Sequence, residues 1–370
     1  MRFVFVLLAC VATLPGTAKE VLVPAEPGAL SAALEAGGIA AGDVVMLAPG
    51  HHGAVHLRGY RFDPPIVVRP ASGTVTISEL TLRDLTGWRL EGLRVRPDAL
   101  GTGPLVQVRQ GRDVWISGFD IASGEAPERW RRSDWLERAR SGIETSGRDI
   151  RLIGNTLRGV DHGIGAASDR TRVEGNRISW FAGDGIRALG NDNVYRGNTI
   201  QTCVAVDNNH DDGIQSWSRG PDGRPGTGTV RNVVVEGNMI RNGDAGRGLT
   251  CALQGIGLFD GMFENWIIRR NVVIVDHWHG ITVMGARDVT IRGNLVVDAD
   301  PDTLMRPWIS ITAHKDGRLS QGGVIAENIS QQMPAAGHPR FRQPQPGVRV
   351  SGERNVPSAQ VGIRLWNEEN

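Results

Sequence analysis

The sequence predicts an all-β fold, a single right-handed parallel β-helix. Three observations predict it: a short phrase that recurs along the chain, the spacing of its copies, and a second phrase that follows each copy. The first phrase alternates apolar and polar residues, then carries Gly or a polar residue, then Asn, then more apolar residues. It reads LIGNTL, VEGNRI, YRGNTI, VEGNMI, IRRNVV, IRGNLV and IAENIS, with asparagines Asn155, Asn176, Asn198, Asn238, Asn271, Asn294 and Asn328. The shortest separations between them are 21, 22 and 23 residues. That is too short for a strand-helix-strand unit and suits one coil of a β-solenoid. Longer gaps hold a coil plus a loop.

Within each phrase the alternation of a half-buried strand points Val173, Val235, Ile268 and Ile291 inward and Glu174, Glu236, Arg269 and Arg292 outward. The recurrent Asn is expected at a bend, because Asn tolerates left-handed backbone geometry and its amide can bond to the coils above and below. A residue repeated on every coil maintains the stack. The second phrase is SGIE, HGIG, DGIR, DGIQ, QGIG, HGIT or ISIT, a strand that places Ile164, Ile186, Ile214, Ile256 and Ile281 in the core.

The remaining elements follow in chain order. Residues 1–18 have the basic start, short apolar run and small-residue exit of a signal peptide, so the mature protein is expected to be secreted or periplasmic. Residues 19–80 read as an N-terminal cap, a short helix then a strand between Ala29 and Gly50, with the first coils. Residues 81–330 are the β-helix proper, interrupted near 125–140 by an amphipathic helix with Trp130, Trp135 and Leu136 on one side. Residues 331–370 read as a Pro-rich C-terminal tail. No stretch outside the leader approaches the roughly 20 apolar residues of a membrane span.

Composition narrows the partner. With 41 basic against 40 acidic residues the chain lacks the basic excess of a nucleic-acid binder. Only Lys19 and Lys315 are lysines, so an anionic ligand would be held mainly by Arg, whose planar fork suits carboxylates. Cys203 and Cys251 can pair in an oxidising compartment or stand as buried thiols. Oligomeric state leaves no mark in the sequence.

Chemistry is most visible where a repeated column stops being uniform. The residue before Gly-Ile runs Ser141, His162, Asp184, Asp212, Gln254 and His279, with Asp211 directly before Asp212. Coils about 4.8 Å apart stack these side chains into a ladder, so one carboxylate raises its neighbour's pKa. Extra residues at Ser218 to Thr229 and Gly243 to Leu249 would wall this column as a cleft, in which Asp184, Asp211, Asp212 and His279 share one groove. Trp217, Trp278 and Trp308 fall on or next to the same strand, either stacking on sugar rings or filling the core.

This column resembles that of the polygalacturonase family of glycoside hydrolases, within the pectate-lyase-like β-helix superfamily. Asp184-Gly185-Ile186, Asp211-Asp212-Gly213-Ile214 and His279-Gly280-Ile281 look like three of that family's successive motifs, over roughly residues 180 to 285. The chain departs from the pattern in an extra coil bearing Gln254, in the lack of an Arg-x-Lys, for which Lys315 is a loose substitute, and in Ala182-Gly183 before the first Asp. The resemblance implies inverting hydrolysis of a polysaccharide, with Asp212 as general acid, Asp184 and Asp211 as the water-activating pair, and His279 and His210 tuning them. His162, Arg187, Gln215, Trp217, Gln254, Trp278 and Lys315 would contact substrate. No cofactor is required by this reading, and calcium is possible, since Asp, Asn and Gln supply the oxygens it prefers.

Two other readings stand beside it. A polysaccharide lyase or C5-epimerase acting on a uronic-acid polymer would use His210, His279 or Lys315 as base and Arg187 to neutralise the carboxylate. A non-catalytic glycan-binding or export protein would need neither.

Overall fold

The computed structural model describes residues 18–300, 305–332 and 345–369. The proposed leader and the Pro-rich stretch at 333–344 therefore lie outside the described residues. The chain winds into stacked coils with three faces, every named strand pairing being parallel. The first face includes Ile164–Ala166, Ile186–Ala188, Asp212–Trp217, Gln254–Asp260, His279–Met284 and Trp308–Thr312. The second includes Arg172–Glu174, Val194–Arg196, Val234–Glu236, Ile267–Arg269 and Thr290–Arg292. The third includes Arg177–Phe181, Thr199–Cys203, Met239–Arg241, Val272–Val275 and Leu295–Asp298.

Period-two alternation builds the core as expected. Ile164, Ile186, Ile214, Ile256 and Ile281 are fully buried, as are Val173, Val235, Ile268 and Ile291. Burying such side chains, at about 25 cal/mol per Å² of apolar surface, is the main stabilising term of each coil. A disulfide joins Cys203 and Cys251, 48 residues apart, which resolves the choice between pairing and free thiols.

The seven asparagines form one continuous ladder between the second and third faces. Asn155 donates both its main-chain N–H and its Nδ2 to Oδ1 of Asn176, each at 2.9 Å, and the same pair of bonds recurs on to Asn328. Each Nδ2 also donates to a main-chain carbonyl one coil below, as Asn198 does to Val173 at 2.8 Å. The bend is not made by the asparagines. The residue before each takes the left-handed conformation: Gly154, Gly175, Gly197, Gly237 and Gly293, with Arg270 and Glu327 at the other two coils. Gly suits that position, and it frees the Asn to spend its amide on neighbouring coils. Left-handed Asp and Asn do occur, but at the bend between the first and second faces, at Asp149, Asp192, Asn232, Asn265 and Asp288.

The ends and the excursion differ in detail from expectation. Helix Ala29–Glu35 turns Leu30 and Leu34 into the core beside the first strands. The excursion is shorter than the predicted 125–140, a 3-10 turn at Pro127–Arg129 and a helix at Arg132–Arg138. Trp130 and Trp135 pack with Ala182, Val204, Val206 and Ala245, while Leu136 points to solvent at 61% exposure. The C-terminal stretch is more than a tail. Strands Arg349–Ser351 and Arg354–Asn355 add to the second and third faces, and helix Ala359–Glu369 lays Val361, Ile363, Leu365 and Trp366 over Leu295, Val297 and Ile329. Among the described residues no helix is long and apolar enough to cross a membrane.

Candidate active site

The ladder residues preceding Gly-Ile sit at the bend between the third and first faces. His162 Nδ1 accepts the main-chain N–H of Asp184 at 2.8 Å, and Asp184 Oδ1 accepts that of Asp212 at 3.1 Å. The outward residue three positions on reaches back to the ladder: Arg187 Nε donates to Asp184 Oδ2 at 2.7 Å, and Gln215 Nε2 to Asp212 Oδ2 at 2.8 Å. Thr282 Oγ1 lies 2.9 Å from His279 Nδ1 and accepts Trp308 Nε1–H at 3.0 Å. Arg187 also approaches His162 Nε2 at 2.7 Å.

An open groove lined by three carboxylates is not what forms. Asp184, Asp211 and Asp212 are 1%, 5% and 0% exposed, and Gln254 is buried too. What reaches the surface is Arg187, Gln215, His279, Trp278, Phe259 and Lys315. Asp211 turns aside from the column, its Oδ1 accepting from Asn209 Nδ2 at 2.9 Å and its Oδ2 lying 3.3 Å from Cys203 Sγ. Asp184 and His279 are three coils apart, roughly 14 Å at the usual strand spacing, so they do not share one bond of a substrate.

Burial sets the protonation states. It pushes Asp211 up to about 8 and Asp212 well above the carboxylate range, where the charge of Asp184 adds to the effect and the bond from Gln215 opposes it. Burial raises Asp184 too, against the opposite pull of Arg187. Asp212 Oδ1 and Gln254 Oε1, on directly paired positions, are both buried acceptors without a hydrogen-bond partner among the described residues. Burial lowers His279 to about 3, helped by His277, His210 and Lys315, and lowers His277 to about 4, helped by His210. His162 falls to about 3 through burial and then Arg187.

Between Asp212 and His279 lies the coil of Gly257, which is outward-facing and bare. A Cβ there would collide with Asp212 Oδ1 and with the Phe259 ring, so the glycine makes room for both. The Phe259 ring packs edge-on to His279 at 5.0 Å, and Lys315 Nζ lies 5.8 Å from its centroid while pairing with Asp260 at 2.8 Å. Trp278, 46% exposed, stacks on buried Trp308 at 5.9 Å, and Arg219 lies 5.0 Å from the Trp217 ring. His210 is exposed in the loop before Asp211. Phe259, His277 and Thr282 were missed from sequence. Their signal is the outward position three or five residues after the ladder residue, or the alternate histidine in His277-Trp278-His279.

The two insertions flank this face on opposite sides. The 218–228 loop follows the strand ending at Trp217 and is held by Arg318 Nη2 donating to Gly226 O at 3.1 Å. The 243–252 loop precedes the strand beginning at Gln254 and is tied down by the disulfide and by Ala205 N–H on Leu249 O. For a metal, the one group among the described residues with three His, Cys, Asp or Glu ligand atoms mutually within 4.8 Å is Cys203, Asp211 and Cys251, and both sulfurs are used in the disulfide.

The fold defines a right-handed parallel β-helix protein, and the family model described as the right handed beta helix region matches residues 141–301. Among solved structures the chain is similar to the Dettilon tailspike protein, with a TM-score of 0.51 and 13% identity over 89% of this chain. It spans 62% of the length of that tailspike. It is similar also to pectate lyase Pel9A (TM-score 0.47, 15% identity, 93% of this chain and 82% of that one). A third is the periplasmic alginate epimerase AlgG (TM-score 0.46, 15% identity, 85% of this chain and 77% of that one). A search of curated proteins finds no match.

Proposed function

We propose that the chain acts on an acidic polysaccharide and removes the C5 proton of a uronate, as a lyase or C5-epimerase does, at the first face. The observation that carries this is a pair of groups driven to opposite states on either side of Gly257. Asp212 is held as a neutral acid and His279 as a neutral base, with the Lys315 ammonium beside the base. Environments that push two titratable groups apart assign the acid and base roles.

In the elimination form, His279 takes the C5 proton. The C5–H electrons form the C4–C5 double bond and the C4–O4 bond breaks; Asp212, fully buried until the Phe259 ring swings off Gly257, then protonates the departing oxygen. In the epimerising form no bond to oxygen breaks: His279 keeps the proton it has taken, and a second proton, from Asp212 or water, is delivered to the other face of C5. Lys315 exchanges its pairing with Asp260 for the sugar carboxylate, which stabilises charge developing at C5. A carboxylate entering beside His279 would lift its pKa toward working pH. Hydrolysis with Asp184 and Asp211 as water-activating base finds less support, because inverting pairs stand about 6.5–9.5 Å apart with room for water. Asp184 is instead bonded to the Asp212 main chain, and Asp211 faces Asn209.

The test is product analysis on alginate, polygalacturonate and neutral glucans. Unsaturated ends absorbing in the ultraviolet, or deuterium entering C5 from heavy water without cleavage, are expected from the acidic polymers alone. New reducing ends lacking a double bond would return the hydrolytic reading, and an absence of any turnover would leave a binding protein.

A further inference from the structure

The second face carries a depression of about 1050 Å³ that is separate from the acid ladder. Its floor crosses the coils of Thr86, Arg112, Arg151, Arg172 and Val194, a run of roughly 19 Å at the usual coil spacing, and Phe62 stands at one end. A smaller depression of about 420 Å³ shares Thr86, Arg112 and Arg170 with it and carries the groove round the bend toward the first face.

Its charges fall into two kinds. Some are already matched: Arg170 grips Asp149 through two bonds of 2.7 Å, and Arg89 grips Asp113 through two of 2.8 Å. Arg112 and Arg151 make no ion pair or hydrogen bond to an acid among the described residues. The Arg151 guanidinium lies 4.2 Å from the Trp115 ring centroid, and Arg89 lies 4.1 Å from the same ring. Stacking of this kind fixes the plane of the guanidinium and leaves its N–H edge to a ligand.

We propose that this groove binds an acidic polysaccharide, Arg112 and Arg151 receiving its carboxylates while Asp63 and Asp192 accept bonds from its hydroxyls. A nucleic acid fits worse, since Asp63, Asp113, Asp149 and Asp192 would face its phosphates. A protein partner fits worse too, because Phe62, Pro65 and Val194 are the groove's few apolar contributions and protein interfaces centre on larger apolar and aromatic contacts. A sugar acid offers both a carboxylate and hydroxyls on every unit, which matches alternating Arg and Asp. The site requires no cleavage at the first face, and it would hold a polymer on the second face whether or not the first turns it over.

Calorimetric titration of the full chain tests it, carried out on Asp212→Asn so that turnover does not intrude. The probes are alginate and polygalacturonate oligosaccharides, with cello-oligosaccharides as the neutral control. Binding of the acidic probes is expected to weaken about tenfold in Arg112→Ala and in Arg151→Gln, as loss of a charge-assisted bond predicts. The melting temperature should hold, since Arg112 is exposed and Arg151 half-buried. Unchanged affinity in both variants, equal binding of the neutral probe, or no binding at all overturns the proposal. So does binding lost in Lys315→Ala but kept in both arginine variants, which would place the ligand on the first face alone.

Discussion

Replacing Asn198 by Ala puts the ladder itself to the test. Its side chain is fully buried and makes four hydrogen bonds. Its Oδ1 accepts from Asn176 N–H and Asn176 Nδ2, each at 2.9 Å, and its Nδ2 donates to Val173 O at 2.8 Å and Asn238 Oδ1 at 2.9 Å. After truncation Asn176 Nδ2 keeps Leu152 O and Asn238 Oδ1 keeps the Asn198 main chain. The buried Asn176 main-chain N–H loses its acceptor. Net losses near 1 kcal/mol per bond, with the desolvation cost of an orphaned donor, give a destabilisation of roughly 4 kcal/mol. Urea unfolding followed by circular dichroism reads it, with exposed Asn208→Ala as the control expected to change almost nothing. A loss below about 1 kcal/mol would refute the view that the asparagines are needed to satisfy the main chain of neighbouring coils.

Three further outcomes are expected. Asp212→Asn should cut turnover about 10²–10⁴-fold while barely moving the melting temperature, because the amide still accepts from Gln215 but cannot supply a proton. If Asp212 were instead a calcium ligand, the variant would melt lower and chelator would mimic it in the unaltered chain. Asp211→Asn should be stabilising, and increasingly so from pH 4 to pH 7. The folded carboxyl titrates at about 8 and the unfolded one near 3.8, so its contribution is most favourable below 3.8 and declines as pH rises toward 8. That decline reaches as much as roughly 4 kcal/mol by pH 7, and a gap between variant and parent that narrows over this range in urea titrations would contradict it. Replacing Cys203 and Cys251 together by Ala should cost roughly 4 kcal/mol on the loop-entropy account for a 48-residue separation. Reductant should lower the parent's melting temperature toward the variant's and leave the variant where it is.

The coil period, the inward isoleucines and the asparagine column were legible in the sequence because each repeats, and repetition fixes register on a stack. Bend geometry was legible only in part. Asn was credited with the left-handed conformation, but the glycine before it takes that role, and both residues recur together so the pattern does not separate them. The candidate site was legible as a column of residue types, and its depth was not. Whether Asp212 lies open or covered depends on Phe259 folding back over Gly257 of its own strand and so over the carboxyl of the preceding coil, a side-chain direction that no spacing announces. Helix Ala359–Glu369 went unread for a similar reason, since its apolar residues become meaningful only against Leu295 and Val297 on the third face.

The asparagine ladder runs one way. Every rung donates to the next, beginning with Phe119 N–H on Asn155 and ending with Asn328 on the Glu353 carboxylate, which accepts without having to pass a bond on. Each coil thus arrives with its own donors and its own acceptor, and a coil inserted or deleted between the two ends leaves the account balanced. Fold and chemistry are uncoupled in this respect. Removing the coil that holds Gln254 and Asn271 would leave an intact ladder, yet it would bring His279 up against Asp212 and erase the bare glycine between them. In such an architecture the distance between an acid and a base can change in whole coils, in steps of about 4.8 Å.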